Sequence, residues 1–213
     1  MRAYFGLPSS FFMTDYHQPE FYRFNEDSIK LATMSASIMN QESRPSIRVL
    51  DLGCGCGVVG MELARSVASR VDLYLCEAQV DYQESISVNV ASLCLDRKDV
   101  LCHLSHCSWG KLAIDNLDLI ISNPPYFLIG HGQQGTDLRR ERARRWSTSE
   151  RDEFYQKILA LSNPQTKICL CLRDRPPQFF MDRVVIVHEE VFNERESVLT
   201  IGIVFALNIE ADK

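Results

Sequence analysis

Hydrophobic residues recur along the chain with two different periods, and this alternation predicts strands separated by helices. Short apolar or β-branched runs predict strands at residues 47–51, 71–77, 100–104, 117–122, 167–172, 184–188 and 198–207. Apolar residues with helical spacing predict helices over residues 26–41, 58–69, 83–95 and 150–161. This order predicts an α/β fold with a mainly parallel sheet and helices on both faces. The last two strands, separated by a polar turn near residues 193–197, predict an antiparallel edge hairpin and bring the sheet to seven strands.

Chain length, net charge and the length of the apolar runs exclude several classes of protein. We expect one domain over residues 1–213, with residues 1–45 as a lead-in segment and helix and residues 127–148 as a substrate flap. The longest apolar runs have about ten residues, whereas a membrane helix needs about 20, so no membrane span is expected. Eight cysteines without a secretory signal indicate reduced thiols and a cytoplasmic protein. A net charge of −5 argues against a surface that coats nucleic acid but leaves room for a local basic site.

A glycine-rich segment follows the first predicted strand. The run VLDLGCGCGVVG places Gly53, Gly55 and Gly57 where side chains would keep the backbone from a ligand and obstruct the turn into the helix. With Gly60 the run also satisfies the dinucleotide pattern GxGxxG, and Glu77 ends the second strand where a ribose-binding acid is expected. The pattern predicts a nucleoside cofactor and does not by itself separate NAD from another one.

Asp51 distinguishes between these cofactors. It ends the first strand beside the loop, where the diphosphate of NAD would have to bind, and a negative neighbour disfavours a negative ligand. S-adenosylmethionine carries a sulfonium and an ammonium and no phosphate, so the same carboxylate favours it. The residues expected to bind S-adenosyl-L-methionine are Asp51, Gly53, Cys54, Gly55, Gly57, Glu77 and, from the next motif, Asn123.

The fourth predicted strand runs into the sequence NPPY at residues 123–126, called the NPPY corner below. Two prolines remove two backbone donors and fix φ, so the corner is rigid. The Asn123 side-chain oxygen and the Pro124 carbonyl would accept the two hydrogens of an amino group and free its lone pair for a methyl group. Tyr126 would stack on a base that has left its helix. Asn123, Pro124 and Tyr126 are therefore the predicted catalytic residues.

The motifs DLGCGCG and NPPY, with the acid Glu77 between them, resemble those of the amino-methylating Class I methyltransferases. Within that group, NPPYF followed by RRERARRW, with FYRFNEDSIKLA upstream, is similar to the bacterial tRNA(Val) adenine-37 N6-methyltransferase family over about residues 20–172. The resemblance implies a Rossmann-like fold, S-adenosyl-L-methionine as the cofactor, and methylation of the adenine N6 amino group in RNA, above all tRNA. It also implies that Phe24 and residues 25–27 line the methionine end of the cofactor.

An arginine-rich run lies in the long stretch after the NPPY corner. Residues 139–151 carry six arginines against Glu141 and Glu150, inside an acidic protein. A solvated helix face or a charged loop is the plainer interpretation, but next to this corner we expect the arginines to bind RNA phosphates. The residues expected to bind the substrate are Pro125, Tyr126, Phe127, Arg139, Arg140, Arg142, Arg144 and Arg145.

Other functions stay open on the sequence. The NPPY corner also suits a protein glutamine, so protein-glutamine N5-methylation is an alternative, as is methylation of an adenine or guanine amino group in rRNA. An NAD-dependent oxidoreductase and a non-catalytic partner that keeps the cofactor fold belong to different classes.

The third predicted strand and the residues after it include side chains that bind zinc in other proteins, namely Cys102, His103, His106 and Cys107. Adjacent residues of a strand point to opposite faces, so these four do not converge and we expect no metal site. In the methyltransferase pattern this strand is followed by an acid that receives the adenine amino group. Here His106 or Cys107 takes that position, and the chain departs from the pattern.

Overall fold

The computed structural model describes residues 16–130, 135–195 and 198–208. The helices are α1 (Glu26–Gln41), α2 (Val58–Ser66), α3 (Gln83–Asp96), α4 (Leu138–Arg144), α5 (Thr148–Leu161) and α6 (Gln178–Met181). The strands are β1 (Ser46–Leu52), β2 (Arg70–Cys76), β3 (Val100–Ser105), β4 (Leu119–Ser122), β5 (Phe127–Leu128), β6 (Arg145–Trp146), β7 (Lys167–Leu172), β8 (Val184–Arg195) and β9 (Val198–Leu207). Residues 1–15 of the predicted lead-in segment, 131–134 of the predicted flap and 196–197 of the predicted polar turn lie outside the described residues.

Seven of these strands form one sheet in the order β3-β2-β1-β4-β7-β9-β8. The first five in this order run parallel, and β9 pairs antiparallel with both β7 and β8. The hairpin of β8 and β9 therefore forms one edge of the sheet. The prediction of a seven-stranded, mainly parallel sheet with an antiparallel edge hairpin is confirmed, and the architecture is Rossmann-like.

Helices cover both faces of the sheet because successive residues of its central strands are apolar. In β1, Val49 belongs to the same cluster as Leu31 of α1, whereas its neighbour Leu50 belongs to the cluster of Phe154 in α5. All four side chains are at most 1% exposed. Helices α1, α2 and α3 thus pack on one face, and α5 and α6 pack on the other. A strand buried on both faces needs apolar residues at consecutive positions, which is the pattern in the sequence.

The carboxyl ends of the parallel strands meet at one edge of the sheet. Strands β2 and β3 lie on one side of β1 while β4 and β7 lie on the other, so the strand order reverses between β1 and β4. The register places Asp51 opposite Leu75 of β2 and Ile121 of β4. Ligands of open α/β sheets bind in the crevice at such a reversal. The segments after β1, β2 and β4, which carry the predicted motifs, are therefore brought together.

Among the predicted boundaries that differ from the structure, three have a clear physical cause. Strand β8 continues to Arg195, so the polar turn was predicted to begin too early, at residue 193. Polar residues are tolerated in this strand because it lies at the sheet edge, where solvent replaces a packing partner. Residues 127–148 are not one open loop, because β5, α4 and β6 lie within them. Helix α5 begins at Thr148 instead of residue 150, because Ser147 and Glu150 form a capping box.

Candidate active site

The glycine loop after β1 adopts backbone conformations that only glycine reaches without strain. Gly53, Gly55 and Gly57 have φ angles of +73°, +56° and +85°. A Cβ on Gly57 would also lie 2.5 Å from Cε of Met61 in α2. The Gly53 amide donates to the Cys76 carbonyl at 2.9 Å, which ties the loop to the end of β2. The loop therefore turns directly into α2 at the edge where the strand order reverses.

Two buried carboxylates flank this loop. Oδ2 of Asp51, which is 1% exposed, accepts a hydrogen bond from the Gly60 amide at 2.8 Å. Burial raises the pKa of Asp51 to about 7 against the effect of this bond, and the charge of Glu77 adds to the rise. Glu77 accepts from the amides of Gly55 at 2.9 Å and Gln79 at 2.7 Å, and burial raises its pKa as well. Negative charge is costly here, and a cationic ligand would offset that cost.

The loop and the two carboxylates line a cavity of about 640 Å³, called the first cavity below. Phe24 and Ser28 line it from the lead-in side, and Trp109 lines it from the turn after β3. The predicted cofactor residues that line it are Asp51, Gly53, Cys54, Gly55, Glu77 and Asn123. Gly57 instead occupies the N-cap of α2, so it shapes the turn.

Hydrogen bonds at both ends of the side-chain amide orient Asn123. Its Nδ2 donates to Oγ of Ser28 in α1 at 3.1 Å, and its Oδ1 accepts from the Tyr126 hydroxyl at 2.6 Å. The two bonds use opposite ends of the amide, so they determine which end faces which neighbour. Asn123 lines the first cavity together with Pro125. The structure therefore brings the NPPY corner and the glycine loop to one cavity.

Tyr126 is held by contacts from β7 and the segment that follows it. Its hydroxyl lies 3.2 Å from Sγ of Cys171, and the Arg173 guanidinium lies over its ring, 4.3 Å from the centroid. Burial, with a contribution from Cys171, raises the pKa of Tyr126, so its hydroxyl stays protonated and donates to Asn123. Nε of Arg173 is buried and has no hydrogen-bond partner among the residues that the structure describes.

A second cavity, of about 290 Å³, adjoins the first at the NPPY corner. Both cavities are lined by Tyr22, Asn123, Pro125 and Ala143, so these residues separate them. The predicted catalytic and substrate-binding residues that line the second cavity are Asn123, Pro124, Pro125, Tyr126, Phe127, Arg140 and Arg144. Asn25 of the lead-in segment lines it too, and the corner therefore faces both spaces.

The five predicted flap arginines occupy three different environments. Arg140 and Arg144 line the second cavity, whereas Arg142 and Arg145 line the first. Arg139 lines neither cavity and forms an ion pair at 3.0 Å with the aspartate that caps α4. Arg145 pairs at 2.5 Å with a glutamate of α4, and its side chain is only 10% exposed. The structure thus brings four of the five to the cavities and engages one of those four within the flap.

The structure also places the weaker candidates. Within the described ranges no group of three or more His, Cys, Asp or Glu side chains is arranged to bind a metal ion. His103 instead stacks on Tyr74, with the ring centroids 4.4 Å apart. The eight cysteines are free thiols. Of the helices in the described part of the chain, none has the length and apolar character needed to cross a membrane.

The cavities are also lined by residues that were not predicted from the sequence. Arg23 and Arg173 line the second cavity, and Trp109 lines the first. Arg173 follows β7, so its position after a parallel strand was a usable signal for the site edge but not for a role. Arg23 lies in an irregular segment and Trp109 begins a single 3-10 turn, and no local sequence pattern specifies where either side chain lies.

Comparison with known proteins supports a methyltransferase fold. The family model of the methyltransferase small domain matches residues 29–139. A tRNA1(Val) (adenine(37)-N6)-methyltransferase of Tolumonas auensis is 32% identical over 130 residues, which are 61% of this chain and 52% of that relative. The protein of the same name from Musicola paradisiaca is 25% identical over 129 residues, 61% of this chain and 51% of the relative. The chain spans about half the length of these curated relatives.

Solved structures share the architecture at low sequence identity. TrmN from Thermus thermophilus aligns with a TM-score of 0.54 at 18% identity, over 88% of this chain and 54% of that one. A ribosomal protein L11 methylase from Lactobacillus delbrueckii aligns with a TM-score of 0.57 at 12% identity, over 86% of this chain and 80% of that one. Because these identities are below 25%, the alignments show that the fold is shared and carry no argument about activity.

Proposed function

The chain belongs to the methyltransferase small domain family, and from this premise we propose that it transfers a methyl group from S-adenosyl-L-methionine to the N6 amino group of adenine in tRNA. One observation carries the proposal: Asn123 lines both the cavity of the glycine loop and the second cavity. A methyl donor in the first cavity and an amino group at the NPPY corner would meet at this side chain. The names of the two curated relatives support the choice of acceptor.

The first cavity fits S-adenosylmethionine. Its volume of about 640 Å³ lies in the range of small-ligand sites. Asp51 and Glu77 flank the glycine loop, where a dinucleotide would place its diphosphate, and two carboxylates disfavour that group while favouring a sulfonium and an ammonium. Glu77 would accept from the ribose hydroxyls, and Asp51 would face the cationic end. Bound there, the cofactor supplies an electrophilic methyl group.

Asn123 prepares the amino group for this methyl group. The N6 lone pair of adenine is delocalised into the ring, which makes the nitrogen a weak nucleophile. A carbonyl oxygen has two lone pairs, so Asn123 Oδ1 accepts an amino hydrogen and retains its bond from Tyr126. With the Pro124 carbonyl as the second acceptor, the nitrogen approaches a tetrahedral geometry and its lone pair is localised. As the nitrogen–carbon bond forms, the methyl–sulfur bond breaks and leaves a neutral thioether. The nitrogen then loses a proton to water, so no base has to act before attack.

The second cavity would receive the target nucleotide. Tyr126 would offer the base the ring face that Arg173 does not cover, and such stacking contributes about 1–3 kcal/mol per base. The base has to leave its own stack to reach the corner. Arg140 and Arg144 line the same cavity and would bind neighbouring phosphates. We place the reaction in the cytoplasm, where tRNA is present and eight free thiols stay reduced.

The direct test is to incubate the purified protein with methyl-labelled S-adenosylmethionine and separated tRNA, rRNA and protein fractions. We expect label in tRNA, recovered as N6-methyladenine. Asn123→Ala should lower kcat by about 10²–10³-fold, because it removes an acceptor aimed at the reacting amino group. Asn40→Ala is the matched control, because the exposed Asn40 amide bonds to backbone groups near the end of α2 and lines neither cavity. Label confined to rRNA or to protein, or full turnover by Asn123→Ala, would contradict the proposal.

A further inference from the structure

The second cavity is positively charged although the chain is acidic. Its charged lining residues are Glu20, Arg23, Arg140, Arg144 and Arg173, which give a formal charge of +3 in a chain of net charge −5. These arginines come from three separate parts of the chain: the lead-in segment, α4 and the residues after β7. Like charges that converge on one cavity repel each other, and a bound anion would offset that repulsion.

Arg173 lies against the NPPY corner itself. Its guanidinium carbon is 4.3 Å from the Tyr126 ring centroid and 5.5 Å from the Phe127 centroid. The guanidinium carbon of Arg144 is 5.4 Å from the same Phe127 centroid. With the guanidinium carbon of Arg145 at 5.6 Å, three guanidinium groups surround this aromatic ring beside the corner. Nε of Arg173 is a buried donor with no acceptor in the described part of the chain, and an acceptor on a ligand would remove the cost of leaving this donor unpaired.

We propose, on the basis of the function proposed above, that Arg173 and Arg23 bind the backbone phosphate next to the target nucleotide, together with Arg140 and Arg144. A phosphodiester fits because guanidinium groups bind its oxygens in pairs. It also fits because the adjoining base finds an aromatic surface at Tyr126. An acidic peptide would offer carboxylates to the same arginines but no base for the aromatic surface. The substrate site thus extends beyond the flap to the end of β7 and the lead-in segment.

Steady-state kinetics of variants on a tRNA transcript test this assignment. Arg173→Ala and Arg23→Ala should each raise the KM for tRNA about tenfold and leave the KM for S-adenosylmethionine unchanged. Each should also reduce the slope of log KM against log salt by up to about 0.7–0.9, the contribution of one whole phosphate contact. Arg173→Lys should keep the salt slope and give an intermediate KM, because it keeps the charge but not the paired donors. Arg175→Ala is the control, since Arg175 is exposed and lines neither cavity.

Replacing a single phosphate of the RNA with an uncharged group shows which phosphate Arg173 binds. A tRNA ligated around a synthetic segment can carry one uncharged methylphosphonate linkage on either side of the target adenosine. At the linkage that Arg173 binds, the neutral group should raise the wild-type KM, and Arg173→Ala should add no further loss. Two results would overturn the phosphate site and leave the proposed function standing. One is that the losses from Arg173→Ala and from the neutral linkage multiply independently at both linkages. The other is that folded Arg173→Ala and Arg23→Ala keep the wild-type KM for tRNA and the wild-type salt slope. A wild-type protein that labels no RNA, or labels only protein, would refute the proposed function as well.

Discussion

Asp51 titrates near neutrality, so replacing it with asparagine should change the stability of the protein in a pH-dependent way. The carboxyl is 1% exposed, and burial raises its pKa from the ordinary value of 3.8 to about 7. The folded state therefore binds this proton more tightly than the unfolded state does. Stability that the protonated group contributes is complete below pH 3.8 and is lost as the pH rises through 7. An asparagine side chain does not titrate in this range, so the variant Asp51→Asn avoids this loss.

The size of the effect follows from the same shift. One pKa unit corresponds to about 1.4 kcal/mol, so the rise of Asp51 from 3.8 to about 7 gives at most about 4 kcal/mol of unfolding free energy. Below pH 4 the wild type and the variant should differ little. Above pH 7 the cofactor-free variant should be the more stable protein by up to that amount. The hydrogen bond from the Gly60 amide can persist, because the side-chain oxygen of asparagine also accepts.

Denaturant unfolding of the cofactor-free proteins at pH 4, 6 and 8 measures this difference. Asp72→Asn is the control, because it removes a carboxylate that is only partly buried on β2 and lies outside the first cavity. The same variant Asp51→Asn should bind S-adenosylmethionine more weakly, since a neutral amide replaces the carboxylate beside the cation. A difference in unfolding free energy between Asp51→Asn and wild type that does not grow from pH 4 to pH 8 would refute the reasoning.

Two further substitutions test the glycine loop and its support. Gly57→Ala should lower the unfolding free energy by about 2–4 kcal/mol in denaturant unfolding, because it adds a steric contact to an unfavourable φ. The added methyl group of Gly53→Ala meets no atom within 4 Å, so this variant should lose only about 1–2 kcal/mol. Equal losses would contradict this account. Asn89→Ala should raise the KM for S-adenosylmethionine several-fold with little change in kcat, because the buried Asn89 amide donates to the Cys56 carbonyl of the loop at 2.9 Å. Asn40→Ala removes two side-chain hydrogen bonds to backbone groups elsewhere and should leave that KM unchanged. A loss of stability alone in Asn89→Ala would mean a purely structural role.

Much of the fold was predictable because it depends on local patterns. Strand β1 is apolar at consecutive positions, since both of its faces are buried, and α1 carries its apolar residues at helical spacing. The predicted element boundaries were wrong for exposed segments, where burial does not require apolar residues at regular positions. Strand β8 continues through polar residues to Arg195 because it is an edge strand, and the helix within the flap has no buried residue to give it a periodic pattern.

The position of the candidate site was also predictable, but its chemistry was only partly so. Parallel strands place their carboxyl ends at one edge, so the residues after β1, β2 and β4 had to lie close together. Which arginine lines which cavity could not be read from RRERARRW, because Arg139 and Arg145 are engaged by carboxylates of the flap itself. Nor could the raised pKa of Asp51 be predicted, because it depends on burial by distant segments.

The sequence by itself determined the alternation of strands and helices, the glycine loop and the rigid NPPY corner. Periodicity, turn chemistry and proline geometry act over a few residues, so they can be recognised from short stretches of the sequence. Only the tertiary structure decided that Arg173 covers Tyr126, that Ser28 orients Asn123 and that Asn89 supports the loop. These contacts join segments far apart in the chain, and their distances are set by how the helices pack on the sheet.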